Sequence, residues 1–138
     1  AHAAIPVPID DEMSYDEYHI WCNEIENIQR WKRSEDGLIG ESTELVEQSE
    51  NQLLLHKDLF EEDALVFKNL HSTKLEIASK KGEERLEFSF DEFPFFGIWA
   101  APNANFVCLE PWCGIADSIN HNNQLEDKEG VEVLRSKM

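Results

Sequence analysis

The chain has 138 residues, which is enough for one domain, and 41% of them are hydrophobic, including four tryptophans and eight phenylalanines. A packed core is therefore expected and a disordered tail is excluded. The chain has 12 Lys and Arg residues against 29 Asp and Glu residues, which gives a net charge of −17. This negative charge opposes binding to nucleic acid or to an anionic membrane surface, and its simplest interpretation is that it keeps the protein in solution.

The three cysteines, Cys22, Cys108 and Cys113, lack the spacing of a disulfide framework or a zinc site, so free, buried thiols in a reducing cytoplasm are expected. No metal or cofactor site is predicted. No apolar run approaches the roughly 20 residues of a membrane span, so no membrane association is predicted. The start at Ala1 without an initiator Met predicts either processing or a missing upstream part.

Alternation of apolar and polar residues dominates the chain, while helical periodicity is scarce, and Gly and Pro separate the apolar segments. This pattern predicts many short strands. In chain order they are His19 to Ile25, Leu53 to Leu55, Leu65 to Phe67, the segment around Leu75 and Ile77, the segment from Leu86 to Phe90, Phe95 to Trp99, Asn105 to Leu109, and Val131 to Leu134.

One polar, Glu- and Gln-rich stretch, Ser42 to Phe60, is interpreted mainly as loop and strand, and Asp58 to Asp63 as at most a single turn of helix. No internal repeat or linker divides the chain. Many short strands with turn signals between them predict an all-β, antiparallel β-sandwich or barrel in one domain.

Glu110 is the first residue with a chemical interpretation. It follows the apolar run Phe106 to Leu109 and precedes Pro111 and Trp112. Because Pro111 cannot donate to a sheet ladder, the strand should end or reach a sheet edge there. A carboxylate in that position suits a general base, and the neighbouring indole suits the C–H face of a sugar. On spacing alone, a structural Glu that caps a loop or pairs with a Lys remains the stronger interpretation.

The two segments Phe93 to Trp99 and Phe106 to Ser118 are very similar to a signature of the aldose 1-epimerase (galactose mutarotase) family, and more narrowly to its divergent bacterial branch found in some lactose operons. The segment Leu125 to Gly130 fits the same branch. The resemblance is firm from about Asp58 onward and looser from Ala1 to Trp31. It implies that Glu110 is the catalytic base.

Asp63 lies before an apolar run, where an acid is ordinarily a turn or cap residue. The family resemblance implies instead that Asp63 binds sugar hydroxyls, with Glu61 or Glu62 as the equivalent residue if the register differs. His2 near the chain start is ordinarily a solvated residue. The segment Ala1 to Pro8 nevertheless resembles the family loop that carries the catalytic His, which implies that His2 is the general acid.

The resemblance implies that residues 1–138 are the C-terminal part of a single mutarotase-like β-sandwich domain of galactose-mutarotase type, and that an N-terminal half of the same fold is missing. It implies a cytoplasmic isomerase that interconverts the α and β anomers of an aldohexose without metal or cofactor. Glu110 would take the proton from O1, His2 would protonate the ring oxygen, and the ring would open and reclose on the other face.

Three alternatives remain open at this point. A hexose-phosphate 1-epimerase of the same superfamily would need an Arg and Lys cluster for the phosphate. A non-catalytic carbohydrate-binding β-sandwich would bind sugar without turnover. An acidic interaction domain would leave the segment around Glu110 without a role.

Overall fold

The structure, a computed structural model, describes residues 2–24, 29–46 and 51–137. Within these ranges, short 3-10 helices span Tyr15–Glu17, Lys57–Phe60 and Leu125–Asp127, and no described helix has the length and apolar character needed to cross a membrane. The strands are β1 (Ala3–Pro6), β2 (Tyr18–Cys22), β3 (Gln29–Arg33), β4 (Ile39–Leu45), β5 (Gln52–Leu54), β6 (Leu65–Lys68), β7 (Lys74–Ser79), β8 (Arg85–Ser89), β9 (Phe95–Trp99) and β10 (Phe106–Trp112).

The strands form two four-stranded antiparallel sheets and one separate hairpin. The first sheet has the order β1-β10-β9-β6, the second has the order β5-β2-β7-β8, and β3 pairs with β4. The predicted all-β antiparallel sandwich is confirmed.

The main core lies between the two four-stranded sheets. Alternate residues of β10 point inward, so Val107 and Leu109 are fully buried, and in β7 Leu75 and Ile77 do the same from the opposite sheet. Since side chains alternate between the two faces of a strand, Cys108, Glu110 and Trp112 are placed on the outer face of the first sheet.

Most predicted strands are confirmed, because their alternating apolar residues are the ones that line this core. The strand predicted from Val131 to Leu134 is wrong: the segment has no regular secondary structure, and Leu134 is 99% exposed. The segment predicted from His19 forms β2, although Ile25 lies outside the described residues. The single helical turn predicted near Asp58 is confirmed as the 3-10 helix Lys57–Phe60.

The hairpin of β3 and β4 is held against the outer face of the first sheet. Ile39 of β4 packs with Val66, Phe95 and Ile115 in a small second core, to which Trp31 and Trp112 add their partly buried rings. A backbone bridge joins Ile39 to Ser118, and the Lys68 ammonium lies 4.0 Å above the Trp31 ring. This packing holds the end of β3, including Arg33, on the same side of the sheet as Glu110.

Candidate functional site

Glu110, Gly97 and Val66 form one row across β10, β9 and β6 on the outer face of the first sheet. Glu110 lies inside β10, which continues to Trp112, so the strand does not end at Pro111. In the described residues β1 begins at Ala3, opposite Leu109. On its other side Pro111 pairs with Phe96 of β9, so β10 continues through the proline.

His2 and Glu110 are in direct contact. Extending the antiparallel register one residue beyond the Ala3–Leu109 pair places His2 beside Glu110, and the His2 Nδ1 atom lies 3.0 Å from Glu110 Oε1. The Glu110 side chain is 12% exposed and the His2 side chain is 60% exposed. The structure thus brings together the two residues predicted as acid and base, although they are more than 100 positions apart in the chain.

Aromatic rings lie on both sides of this pair. The Trp99 ring centroid is 6.3 Å from that of His2. The Trp112 indole passes over Gly97, so closely that a Cβ atom at Gly97 would lie 2.4 Å from Trp112 Cη2. Gly97 therefore allows the indole to lie across the row that begins at Glu110, and the exposed faces of these rings can contact the apolar face of a sugar.

Cys108 joins the pair on the same face, and sequence reasoning missed it. Its Sγ atom is 3.4 Å from His2 Nε2, and the residue is only 1% exposed. Burial raises the pKa of the Cys108 thiol, and the nearby charge of Glu110 raises it further. The thiol form is therefore favoured. The signal available in the sequence was the two-residue spacing from Glu110, which places both side chains on one face of a strand.

Asp63 precedes β6, and the described polar contacts of its side chain are to Ala64 and Arg33 rather than to the His2–Glu110 pair. Its φ of 84° is in the left-handed region, which Asp tolerates better than most residues. Its Oδ1 accepts a hydrogen bond from the Ala64 N–H at 2.7 Å. Its Oδ2 lies 2.7 Å from Arg33 Nη1. Arg33 is a second residue that the sequence did not single out, because its role depends on the β3–β4 hairpin.

The alternatives to Asp63 lie in the same loop. Glu62 forms an ion pair with Arg30, and both Glu61 and Glu62 are exposed. A cavity of about 630 Å³ is lined by these acids and by the basic residues of β3. A second cavity of about 420 Å³ is lined by Arg33, Val66, Trp112 and Lys128, among others. Trp112 and Arg33 thus share one cavity wall, which connects the aromatic part of the row to the Asp63 side.

No family model matches the chain. Two curated relatives from Lactococcus lactis subsp. lactis, the plasmid and the chromosomal forms of Protein LacX, are each 33% identical over 135 residues. These matches cover 95% of this chain but 45% of each relative, so the chain spans less than half the length of the curated relatives that it matches.

Two solved structures are similar to this one. A galactose mutarotase-like protein from Lactobacillus casei ATCC 334 matches 94% of this chain and 45% of its own, with a TM-score of 0.79 and 22% identity. The chain has the galactose mutarotase-like fold. A galactose mutarotase related enzyme from Lactobacillus acidophilus matches 94% of this chain and 44% of its own, with a TM-score of 0.73 and 26% identity. The resemblance to this family seen in the sequence is confirmed, and the partial coverage agrees with a C-terminal half of the galactose mutarotase-like fold.

Proposed function

We propose that this chain contributes the acid–base pair of an aldose 1-epimerase, which interconverts the α and β anomers of an aldohexose. The observation that carries the proposal is the 3.0 Å contact between His2 Nδ1 and Glu110 Oε1 on an open, tryptophan-lined face of the first sheet. Anomer interconversion requires one group that removes a proton from O1 and another that protonates the ring oxygen, two atoms bound to the same carbon. An adjacent imidazole and carboxylate meet this requirement.

In the proposed reaction, Glu110 takes the proton from the O1 hydroxyl while His2 donates a proton to the ring oxygen. The bond between C1 and the ring oxygen breaks, and C1 becomes an aldehyde. Rotation about the C1–C2 bond presents the other carbonyl face. Reclosure then returns the proton from the sugar hydroxyl to His2 and from Glu110 to O1, so the enzyme ends in its initial protonation state and no cofactor takes part.

The two side chains differ in exposure in a way that suits these roles. Glu110 is held within a strand and is nearly buried, whereas the His2 ring is more than half exposed. A sugar entering the site can therefore displace the His2 ring from Glu110 without disturbing the sheet. In the free protein the acid and base satisfy each other, and O1 and the ring oxygen would replace this contact in the complex.

Asp63 is proposed to bind sugar hydroxyls, supported by its position at a cavity edge and by its pairing with Arg33. Because the Asp63 side chain is 47% exposed, it can accept hydrogen bonds from a ligand while Arg33 restricts its orientation. In this proposal Glu110 acts at C1 and Asp63 binds hydroxyls elsewhere on the sugar.

A neutral sugar is favoured over a sugar phosphate. Arg30, Lys32 and Arg33 do line one cavity, but Glu35, Glu61, Glu62 and Asp63 line it as well. Arg30 pairs with Glu44 and Glu62, Lys32 pairs with Glu44, and Arg33 pairs with Asp63. A phosphate would have to compete with carboxylates for each of these cations, which costs binding energy.

We further propose that the chain acts as part of a single, larger β-sandwich domain, with the remaining half supplying additional substrate contacts. The support is that both curated relatives and both solved structures are more than twice as long as the matched segment.

The decisive test is Glu110→Gln in the complete protein that contains this chain. The amide keeps the shape of the side chain but cannot accept the O1 proton, so kcat for the α-to-β conversion of glucose and galactose should fall by about 10²–10⁴-fold. Sugar affinity, measured by isothermal titration calorimetry, should change little. Polarimetry follows the conversion directly.

The matched control is Glu84→Gln, which makes the same chemical change at an exposed position of the turn before β8. Equal activity in the two variants would refute the assignment of Glu110 as the base. Sugar binding without turnover in the wild-type protein would instead identify a non-catalytic carbohydrate-binding protein.

A further inference from the structure

Three side chains on the outer face of the first sheet offer three different metal-binding atoms within a small space. His2 Nδ1 lies 3.0 Å from Glu110 Oε1, and His2 Nε2 lies 3.4 Å from Cys108 Sγ. One ligand atom from each of the three residues lies within 4.8 Å of the other two. The sequence gives no zinc-type spacing, because the three residues are at positions 2, 108 and 110 and only the sheet brings them together.

The antiparallel register explains why these atoms converge. Cys108 and Glu110 are two residues apart in β10 and share its outer face, while His2 lies beside Glu110 at the start of β1. The residue directly opposite Cys108 is Ala4, whose methyl group is too small to cover the thiol. The His2 ring can therefore reach over Ala4 to Cys108 while it also contacts Glu110.

The chemistry of the three groups selects a particular class of metal. An imidazole, a thiolate and a carboxylate together suit Zn²⁺ and similar borderline cations. Mg²⁺ and Ca²⁺ require oxygen ligands and would be disfavoured. Three protein ligands with an open fourth position form the arrangement that zinc adopts when a water or another small ligand completes its coordination.

The spacing is close to what zinc requires. Zinc lies about 2.3 Å from sulfur and about 2.0–2.2 Å from nitrogen or oxygen, so its tetrahedral ligand atoms are about 3.3–3.6 Å apart. The contacts of 3.0 and 3.4 Å are near this range but are made by the two different nitrogens of His2, and with one atom from each residue the separations extend up to 4.8 Å. A turn of the His2 ring, which is 60% exposed, can bring one of its nitrogens to face both partners.

We propose that His2, Cys108 and Glu110 form an inhibitory site for Zn²⁺ or a similar thiophilic divalent cation. Binding replaces the thiol proton with the metal: Cys108 releases one proton to solvent as its sulfur becomes a thiolate ligand. His2, which carries the proton to be donated in the proposed reaction, releases that second proton to solvent, and the metal then occupies the freed nitrogen lone pair and an oxygen lone pair of Glu110. The inhibitory part of the proposal rests on the proposed function, because those two lone pairs are the ones that would exchange protons with the sugar.

The binding test uses the reduced, metal-free chain and Co²⁺ as a spectroscopic probe. Co²⁺ should bind with a stoichiometry of one and should produce a thiolate-to-cobalt charge-transfer band. Zn²⁺ should displace it, and competition with a chromogenic chelator should give the zinc affinity. Cys108→Ser should remove the band and weaken zinc binding by more than the roughly 10–100-fold that is typical of losing an outer-shell partner.

The matched control is Cys113→Ser, which removes an exposed thiol and should leave the band and the affinity unchanged. Because Cys108 is buried, His2→Gln provides a second variant that lacks a ligand at an exposed position and so preserves the core. It should weaken zinc binding while leaving the circular dichroism spectrum unchanged. A wild-type chain without a charge-transfer band, or a band lost in Cys113→Ser but kept in Cys108→Ser, would overturn the site.

Inhibition is tested separately in the complete protein. Micromolar Zn²⁺ should suppress anomer conversion in wild type and Cys113→Ser, a chelator should restore it, and Cys108→Ser should resist the metal. Zinc binding at this site with undiminished conversion would overturn the inhibitory role. The binding measurements do not depend on turnover. A protein without mutarotase activity would therefore contradict the proposed function, while the cobalt and zinc titrations would still test the metal site.

Discussion

Replacing Gly97 with alanine should displace Trp112 and with it one wall of the candidate site. A Cβ atom at Gly97 would lie 2.4 Å from Cη2 and 2.5 Å from Cζ2 of the indole. Carbon atoms in favourable contact are about 3.5–4.0 Å apart. The indole must therefore move by about 1 Å or more, and because its far end is involved, the ring should swing away from the row that begins at Glu110.

Two opposing effects determine the stability of Gly97→Ala. Overpacking of this kind typically costs about 1–3 kcal/mol. Alanine also reduces the conformational freedom of the unfolded chain, which stabilises the folded state by about 0.4–1 kcal/mol where the backbone is unstrained. Gly97 is not among the described glycines with a positive φ, so this gain applies. The free energy of unfolding should fall by a net of about 0–2.6 kcal/mol.

Urea denaturation followed by circular dichroism measures this change, and sugar affinity measured by calorimetry should fall with it. The control is Gly82→Ala, where the new Cβ would meet its nearest neighbours, in Met13 and Ser79, at an ordinary 3.7 Å. That variant should be stabilised by about 0.4–1 kcal/mol.

In a Trp112→Ala background, Gly97→Ala should lose its cost, since the clashing ring is absent. A Gly97→Ala variant as stable as Gly82→Ala, or an undiminished cost in the Trp112→Ala background, would refute the close approach of the indole to β9.

Two further predictions concern single carboxylates. Asp63→Asn should weaken sugar affinity by about 10–100-fold, the loss expected for a hydrogen bond to a charged group. The free energy of unfolding of Asp63→Asn should change by at most about 1 kcal/mol, because the Arg33 ion pair is partly exposed. If calorimetry gave Asp63→Asn the same sugar affinity as wild type, Asp63 would be excluded as a sugar ligand. Lys81→Ala should raise the pKa of Glu17, which hydrogen bonds from Lys81 and Ser14 lower from 4.5 to about 2. The lowered pKa means that ionised Glu17 stabilises the folded state above about pH 4.5, and that this stabilisation is lost as the pH falls toward 2. If the pKa of Glu17 measured by NMR titration were unchanged in Lys81→Ala, the Lys81 hydrogen bond would not be its cause.

The strands that sequence could predict are those that build the main core. Phe95 to Trp99 coincides with β9, and Leu75 and Ile77 lie in β7 as expected, because buried alternate positions leave a period of two in the sequence. β3 (Gln29–Arg33) has no such alternation, because four of its five residues are polar or charged, and Trp31 is the residue that packs against the second core. Val131 to Leu134 has an apolar run but pairs with no strand among the residues that the structure describes, and a local preference for strand is not enough without such pairing.

The candidate site was only partly accessible to the same reasoning. Glu110 and His2 were identified through the family resemblance, and the structure places them in contact. Cys108 and Arg33 were missed because their neighbours come from distant parts of the chain. From the sequence, Cys108 is interpreted as an ordinary buried thiol, because its contact with His2 exists only in the folded sheet. Arg33 is interpreted as a surface charge, because its contact with Asp63 depends on the β3–β4 hairpin.

The alternation that forms the core also determines which side chains meet at the site. Leu109 is fully buried in the core, while its neighbour Glu110 is on the outer face beside His2. A slip of β10 by one residue would turn the carboxylate of Glu110 into the core and expose Leu109, and burial of an unpaired charge there would be strongly unfavourable. The same slip would move Cys108 inward and away from His2. The contact between His2 and Glu110 is therefore tied to the packing of Val107 and Leu109, so substitutions that loosen this part of the core should reduce both anomer conversion and metal binding, even where they touch neither site.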